Sequence, residues 1–350
     1  MSTSYRLKQI YYLGRSVKII CQNENGPCPL IALCNILLLS GHATIHPDYG
    51  EVTLDSVIQM VANRILEYSA GSQDNSEDVK LMQQQRVNEV ISILPNLQYG
   101  LDVNVKFDSV SSFEYTRELD CFDAAGVPIY HGWILDPQDQ RTASVIQGMS
   151  YNLVIFRLVE SRALADELKA RKRAESHTSP SDAGGPVIEE THLHSSPSPS
   201  APPLDTALTP SQQKLLSDGH IIQAFLSDTA SQLTYMGLMG LYDSVGEGVS
   251  IKQSFLLVSS MSCGYVCAVC LSVYRCLNLC LCMLLMKSIY FVELLNDAYW
   301  CGTGTLCAFF RNNHFSTMLK RGGKLYLLVT DTGYAAEPSV VWELLDEIDK

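Results

Sequence analysis

A cysteine set between two prolines and followed by an apolar run constrains the fold of this chain more than any other feature. The segment reads CQNENGPCPLIALCNILLLSG from Cys21 to Gly41. Pro29 suits the first position of a helix, because its φ is already helical and its missing N–H would have no partner there. The sequence therefore predicts a helix from Pro29 through about Leu39, closing at Ser40-Gly41, with Cys28 at or beside its N-cap.

This position gives Cys28 the chemistry of a nucleophile. Free amides and the positive dipole end at a helix N-terminus stabilise a thiolate, which is the reactive form. Gln22 can aim its amide at the oxygen of a carbonyl under attack, and His314, at the start of a predicted strand, can act as general base. The alternatives are a buried, inert Cys28 that caps a core helix and a hydrogen-bonded, structural His314.

Composition limits the class of protein. A hydrophobic content of 47% is enough for a core, and a net charge of -12 argues against a nucleic-acid surface, which needs clustered positive charge. The N-terminus has no continuous apolar run before a cleavage site, so we expect no signal peptide and a reducing compartment. Of the 12 cysteines, eight crowd between Cys263 and Cys307, a local cluster and not a disulfide framework.

Hydrophobic periodicity and turn residues predict the elements. Helices are expected at 53–69, 75–94, 151–173, 212–223 and 229–243. Extended segments are expected at 7–20, 101–107, 131–136, 306–310, 315–319, 324–329 and 340–345, with a turn at Gly322-Gly323. Residues 174–210 hold seven of the 14 prolines, so we expect a disordered linker there.

The run from 255 to 292 is apolar enough in part to suggest a membrane span. A single span would place the residues after the span on the other side of the membrane from Cys28. Two spans would leave Lys287 in the bilayer, which is costly, so we expect no membrane association. Carbonate-resistant membrane binding would identify the rival, a membrane-anchored protein. The pairs Cys267/Cys270 and Cys280/Cys282 have zinc-like spacing but lack polar neighbours to support a metal, so we expect no metal and no cofactor.

Several motifs together resemble one family. QNENGPCPLIALCNILLLSG, LDVNVKF, FEYTRELDCFD, YHGWILDPQD, TASQLTYMGL and AFFRNNHFSTM, followed by LYLLVTD, resemble in this order the catalytic domain of the MINDY deubiquitinases. These are papain-like cysteine isopeptidases that cleave lysine-48-linked polyubiquitin. The resemblance implies an α+β fold, a papain-like variant in which a helical part carrying the nucleophile packs on an antiparallel sheet carrying the histidine.

The same resemblance assigns roles to residues. It implies Cys28 as nucleophile, His314 as general base and Gln22 as oxyanion donor, with Thr330 or Asp331 as candidates for orienting the imidazole. A partly exposed set of ubiquitin contacts is implied at Asp102, Val103, Trp133, Tyr151 and Phe310. Val103 and Phe310 as strand core, and Trp133 and Tyr151 as plain packing residues, remain the alternatives. The implied partners are ubiquitin and polyubiquitin, and we expect a monomer in the cytoplasm, with the nucleus as a second compartment.

The chain departs from the family pattern within residues 249–305. The prediction divides it into a first catalytic half (7–173), the linker (174–210), further catalytic helices (211–248), an apolar Cys-rich insertion (249–305) and a second catalytic half (306–347). We hypothesise that the insertion is a translated intron or splice variant, which transcript sequencing would decide. If the insertion displaces His314, the chain is instead an impaired, ubiquitin-binding protein. The ubiquitin-binding helix that many family members carry after this domain is not seen before Lys350, which is expected to weaken preference for long chains.

Overall fold

The computed structural model describes residues 3–22, 27–70, 77–176, 208–246 and 305–348. The chain divides into two compact units, Met1–Asp136 with Thr229–Lys350, and Pro137–Asp228. The strands are β1 (Ser4–Tyr12), β2 (Arg15–Ile20), β3 (Glu51–Thr53), β4 (Ile129–His131), β5 (Thr305–Arg311), β6 (His314–Arg321), β7 (Lys324–Leu328) and β8 (Trp342–Leu344). The helices are α1 (Cys28–Ser40), α2 (Leu54–Ala70), α3 (Glu77–Ile93), α4 (Asp120–Ala124), α5 (Gln140–Ile146), α6 (Tyr151–Ser176), α7 (Pro210–Asp228) and α8 (Tyr235–Ser244).

Two sheets form the framework of the first unit. One is three-stranded in the order β2-β1-β3, and the other is five-stranded in the order β4-β5-β6-β7-β8. Every pairing is antiparallel except that between β4 and β5, which is parallel. Hairpin turns at Asn312-Asn313, with φ of 50° and 60°, and at Gly322-Gly323, with φ of 57° and 71°, join β5, β6 and β7. The predicted α+β class with a largely antiparallel histidine-bearing sheet is confirmed.

Helix α1 lies against one face of the five-stranded sheet. Every residue from Cys28 to Leu39 is buried, as expected for a helix that is apolar on all sides. The hydroxyl of Thr317 on β6 donates a hydrogen bond of 3.1 Å to the Ala32 carbonyl in α1. The next residue along β6, Met318, points the other way, into a core formed with α8 residues such as Leu241. The sheet is therefore covered on both faces.

The second unit is built from α5, α6 and α7, with α6 packed along α7. A glycine permits the close approach of these helices, since a Cβ added at Gly219 would lie 2.0 Å from the Ser161 hydroxyl oxygen. Asp218 on α7 is buried and lies 3.9 Å from the Arg157 guanidinium on α6.

Several predicted elements are corrected. Residues 101–107 form no strand; only Val105 and Lys106 take part in isolated bridges, and Val105 is joined to Phe113. The strand expected at 131–136 lies earlier, at β4, because its backbone partners are in β5. Helix α8 begins at Tyr235 and not at Thr229, with Thr234 as its side-chain cap. Helix α1 begins one residue earlier than expected, so Pro29 takes its second position after the N-cap Pro27.

Other predictions fall outside the described residues. Of the linker predicted at 174–210, residues 177–207 lie outside the described ranges, and the prediction is wrong at its ends, because α6 continues to Ser176 and α7 begins at Pro210. Of the insertion predicted at 249–305, residues 249–304 lie outside the described ranges, together with all its cysteine pairs. Within the described ranges, no helix is long and apolar enough to cross a membrane. The same part of the chain contains no cluster of His, Cys, Asp and Glu side chains suited to a metal ion.

Candidate active site

Cys28 is the first residue of α1, and its side chain is 4% exposed. Pro27 provides no side-chain cap, and the first turn contains no acidic residue. Among the described residues of its first turn, no carboxylate offsets the positive end of the helix. This end of the helix can therefore stabilise an anion such as a thiolate. The predicted placement of the thiol at the mouth of the helix is confirmed.

Gln22 lies where the chain crosses from one sheet to the other. The backbone N–H of Cys21 donates to the Arg6 carbonyl on β1 at 2.8 Å, whereas the Gln22 N–H donates to the Thr330 carbonyl at 2.7 Å. Gln22 forms a parallel bridge with Asp331, just beyond the end of β7. The residue is 9% exposed. Its backbone is thus fixed by both sheets shortly before the cysteine turn.

His314 is the first residue of β6 and pairs across the hairpin with Arg311. Burial lowers the pKa of its imidazole, so the neutral form is favoured near neutral pH. Within the described part of the chain the ring makes no hydrogen bond, and it is therefore not bonded to the Cys28 thiol. Side chains alternate along β6, which assigns His314 to the face of Met318 and not to the face that contacts α1. The structure brings the helix and the strand together but not the two reactive groups into a hydrogen bond.

Thr330 and Asp331, the candidates for orienting the imidazole, have other partners. The Asp331 carboxylate accepts a hydrogen bond of 2.6 Å from the Gly333 N–H and caps the short 3-10 helix Thr332–Tyr334. The Thr330 carbonyl accepts from Gln22. In this structure neither residue is bonded to His314.

The five residues proposed to contact ubiquitin differ in exposure. Asp102 is exposed, and Val103 and Tyr151 are partly exposed. Trp133 and Phe310 are only 5% and 4% exposed. Trp133 packs edge-on against Phe107, with 5.1 Å between ring centroids, and its indole N–H donates to the Thr229 hydroxyl at 2.7 Å. The expectation of partial exposure is corrected for these two aromatic residues, whose burial favours the packing role left open above.

Two buried polar residues near the site were missed by the sequence analysis. Asn35 on α1 accepts from the Ile20 N–H at 2.8 Å and donates to the Ile20 carbonyl at 3.0 Å, which ties the end of β2 to the nucleophile helix. Lys8 on β1 is 2% exposed. Each had a signal in the sequence, because Asn35 interrupts an apolar helix and Lys8 continues the buried alternation of Ile10 and Tyr12.

A thiol at a helix N-terminus beside a histidine-bearing sheet is the arrangement used by cysteine-dependent hydrolases. The chain belongs to the MINDY deubiquitinase family, whose model matches residues 3–251 and 299–350. The unmatched residues 252–298 lie within the segment predicted to be an insertion.

Three curated relatives illustrate the similarity. Ubiquitin carboxyl-terminal hydrolase MINDY-1 from Bos taurus is 33% identical over 345 residues, which cover 99% of this chain and 51% of the relative. The Homo sapiens MINDY-1 is 32% identical, again over 99% of this chain and 51% of the relative. The Homo sapiens ubiquitin carboxyl-terminal hydrolase MINDY-2 is 30% identical over 99% of this chain and 39% of its own length. The chain thus spans about half or less of the length of these relatives.

Proposed function

We propose that this protein is a cysteine-type deubiquitinase of papain-like design that hydrolyses isopeptide bonds in lysine-48-linked polyubiquitin. Its family membership and the names of its relatives support the reaction class. The observation that carries the assignment to this site is the contact between Thr317 on β6 and Ala32 on α1, which holds the cysteine helix against the histidine strand.

The proposed chemistry uses three side chains. Cys28 loses its proton to the neutral imidazole of His314, and its sulfur attacks the isopeptide carbonyl carbon. Gln22 donates to the oxygen on which negative charge develops. The imidazolium then gives its proton to the departing lysine amine, and water hydrolyses the thioester to release the ubiquitin carboxylate.

The approach of His314 to the thiol has support in the strand register. Met318 pairs with Leu327, and continuing that register would place His314 level with Asp331, which is the residue that Gln22 pairs with. Base and oxyanion donor therefore belong to the same end of the sheet. Alternation along β6 assigns His314 to the face opposite α1, so the proposed proton transfer requires this first residue of the strand to turn toward the mouth of the helix when substrate binds.

Labelling with a ubiquitin that carries a thiol-reactive group at its C-terminus tests the nucleophile. We expect the native chain to form a covalent adduct and Cys28→Ala to form none. Cys34→Ala is the matched control, because Cys34 lies in the same helix but is fully buried, and burial raises the pKa of its thiol to about 12. The control should label like the native protein, and labelling of Cys28→Ala would refute the assignment.

The same assay separates the enzyme from the alternative, an impaired ubiquitin-binding protein. Binding of polyubiquitin without any adduct would support the alternative. The contact of β6 with α1 favours the enzyme, because a displaced histidine strand would lose the Thr317 hydrogen bond. Cleavage of lysine-48-linked chains in preference to lysine-63-linked chains tests the linkage, and Asp102, Val103 and Tyr151 are the more exposed residues of the proposed ubiquitin contacts.

A further inference from the structure

Lys8 occupies a position that a lysine rarely takes. It lies on β1 on the same face as Ile10 and Tyr12, and these three residues are 2%, 4% and 4% exposed. A lysine is almost never buried this fully unless it is paired. Removing an ammonium group from water is costly, so its retention in a core position calls for an explanation in the contacts it makes.

The partners of Lys8 come from one segment near the other end of the chain. Its ammonium donates to the Tyr334 carbonyl at 2.8 Å and also to the Val340 carbonyl. No carboxylate lies within ion-pair distance of this ammonium in the described ranges. Lys8 therefore holds the two ends of the 334–340 segment against β1.

This segment continues directly from the residues that hold Gln22. Thr330 accepts the Gln22 N–H at 2.7 Å, and the Thr332 N–H approaches the Gln22 carbonyl at 3.4 Å. The short 3-10 helix Thr332–Tyr334 connects these bonds to the Tyr334 carbonyl bound by Lys8. The ammonium is thus linked to the backbone of Gln22 by hydrogen bonds at the two ends of a short stretch of chain, residues 330–334.

We propose that Lys8 is a positioning residue for the oxyanion donor, holding the 330–340 segment so that Gln22 is fixed at the junction of the two sheets. It acts through the backbone and does not touch substrate. The catalytic part of this inference rests on the proposed function of Gln22. An apolar residue at position 8 would fill the same space but would remove the ammonium from both carbonyls. The Tyr334 carbonyl would then keep only the Glu337 N–H as a donor, and the segment would lose its tie to β1.

Amide hydrogen exchange tests the structural part of the inference without substrate. We expect Lys8→Met to accelerate exchange at the Gln22 and Thr332 amides by about tenfold, the effect of losing an ordinary hydrogen bond. Lys18→Met is the matched control, because Lys18 lies on the neighbouring strand β2 and its ammonium also donates to a backbone carbonyl, that of Tyr49. The control and the native protein should exchange alike at both amides, and unchanged exchange in Lys8→Met would overturn the inference.

Steady-state cleavage of polyubiquitin tests the catalytic part. For Lys8→Met we expect kcat to fall about tenfold and KM to change by less than about twofold, because only stabilisation of the transition state is affected. Lys8→Arg, which keeps donors for two carbonyls, should recover most of kcat. A fall in kcat that matches only a loss of folded protein, measured by urea unfolding, would refute a positioning role.

Failure of the proposed function and failure of the positioning role of Lys8 give different results. If the native chain cleaves no ubiquitin, the proposed function fails, while the exchange rates still decide whether Lys8 holds Gln22. If the native chain cleaves ubiquitin but Lys8→Met leaves both readouts unchanged, only the inference about Lys8 fails. Lys8→Gln, which keeps a donor without the charge, replaces Lys8→Met in both measurements if that variant does not fold.

Discussion

Acid should destabilise this protein through His131, a residue of β4 that is 1% exposed. Its Nε2 lies 3.1 Å from the Ser112 carbonyl, to which it donates, and its Nδ1 accepts from the Trp133 N–H at 3.1 Å. These contacts fit a neutral ring, since a proton on Nδ1 would face another donor. Burial lowers the pKa of His131 to about 4, although its hydrogen bonds to backbone carbonyls act in the opposite direction.

The magnitude follows from the difference between folded and unfolded states. The pKa is about 4 when folded and 6.5 when unfolded, and each pH unit between them corresponds to about 1.4 kcal/mol. The pKa of His131 is lower in the folded state than in the unfolded state. Its contribution to the free energy of unfolding is therefore fully present above the unfolded pKa and is lost as pH falls toward the folded pKa. The contribution is about 3 kcal/mol in total, of which about 2 kcal/mol should be lost between about pH 7 and pH 5.

Urea unfolding across this pH range measures the effect. Other groups also titrate, so the informative quantity is the difference in pH dependence between the native protein and His131→Gln. The variant will be less stable near neutral pH because it loses hydrogen bonds, but its free energy of unfolding should fall by about 2 kcal/mol less on acidification. His46→Gln serves as the surface control, because the side chain of His46 is 62% exposed. Parallel pH curves for the native protein and His131→Gln would refute the reasoning.

Two further substitutions test the packing of the first unit. Gly237→Ala would place a Cβ 1.7 Å from the Gly132 carbonyl oxygen, and we expect a loss of about 3 kcal/mol in urea unfolding, whereas Gly50→Ala, with no atom within 4 Å, should cost far less. Thr317→Val removes the donor to the Ala32 carbonyl and should lower the free energy of unfolding by about 1 to 3 kcal/mol; an unchanged urea midpoint would mean that this contact does not hold α1 against β6.

Local pattern was sufficient for the elements that carry the reactive groups. The apolar run after Pro27 fixed α1, and Gly41, with φ of 83°, ends it in the left-handed conformation as expected. The strands of the β5–β6–β7 hairpins followed from alternating side chains, and the turn between β6 and β7 followed from Gly322-Gly323, both of which take positive φ. These features depend on neighbours in sequence, so they can be read before the fold is known.

Hydrophobic periodicity gave wrong predictions where the structure depends on contacts with residues distant in sequence. Residues 101–107 alternate like a strand, yet only Val105 and Lys106 take part in bridges. The neighbouring backbone at 112–114 pairs with this segment through only two hydrogen bonds, too few for a strand, and alternation does not reveal how far a partner extends. The exposure of Trp133 and Phe310 could not be predicted from their neighbours in the sequence, because an aromatic side chain is equally suited to the core and to a binding surface. Lys8 was overlooked for the same reason: a charge at a buried position has meaning only once its carbonyl partners are known.

By itself the sequence determined the chemistry, namely a thiol at the N-terminus of an apolar helix and a histidine that opens a strand, because both depend on short-range geometry. Only the tertiary structure decided which distant segments meet. It joins Gln22 to Thr330 and Asp331 and packs Ala32 against Thr317. These contacts arise because two sheets must pair their backbone groups and bury one helix between them, a requirement of the whole fold and of no single segment.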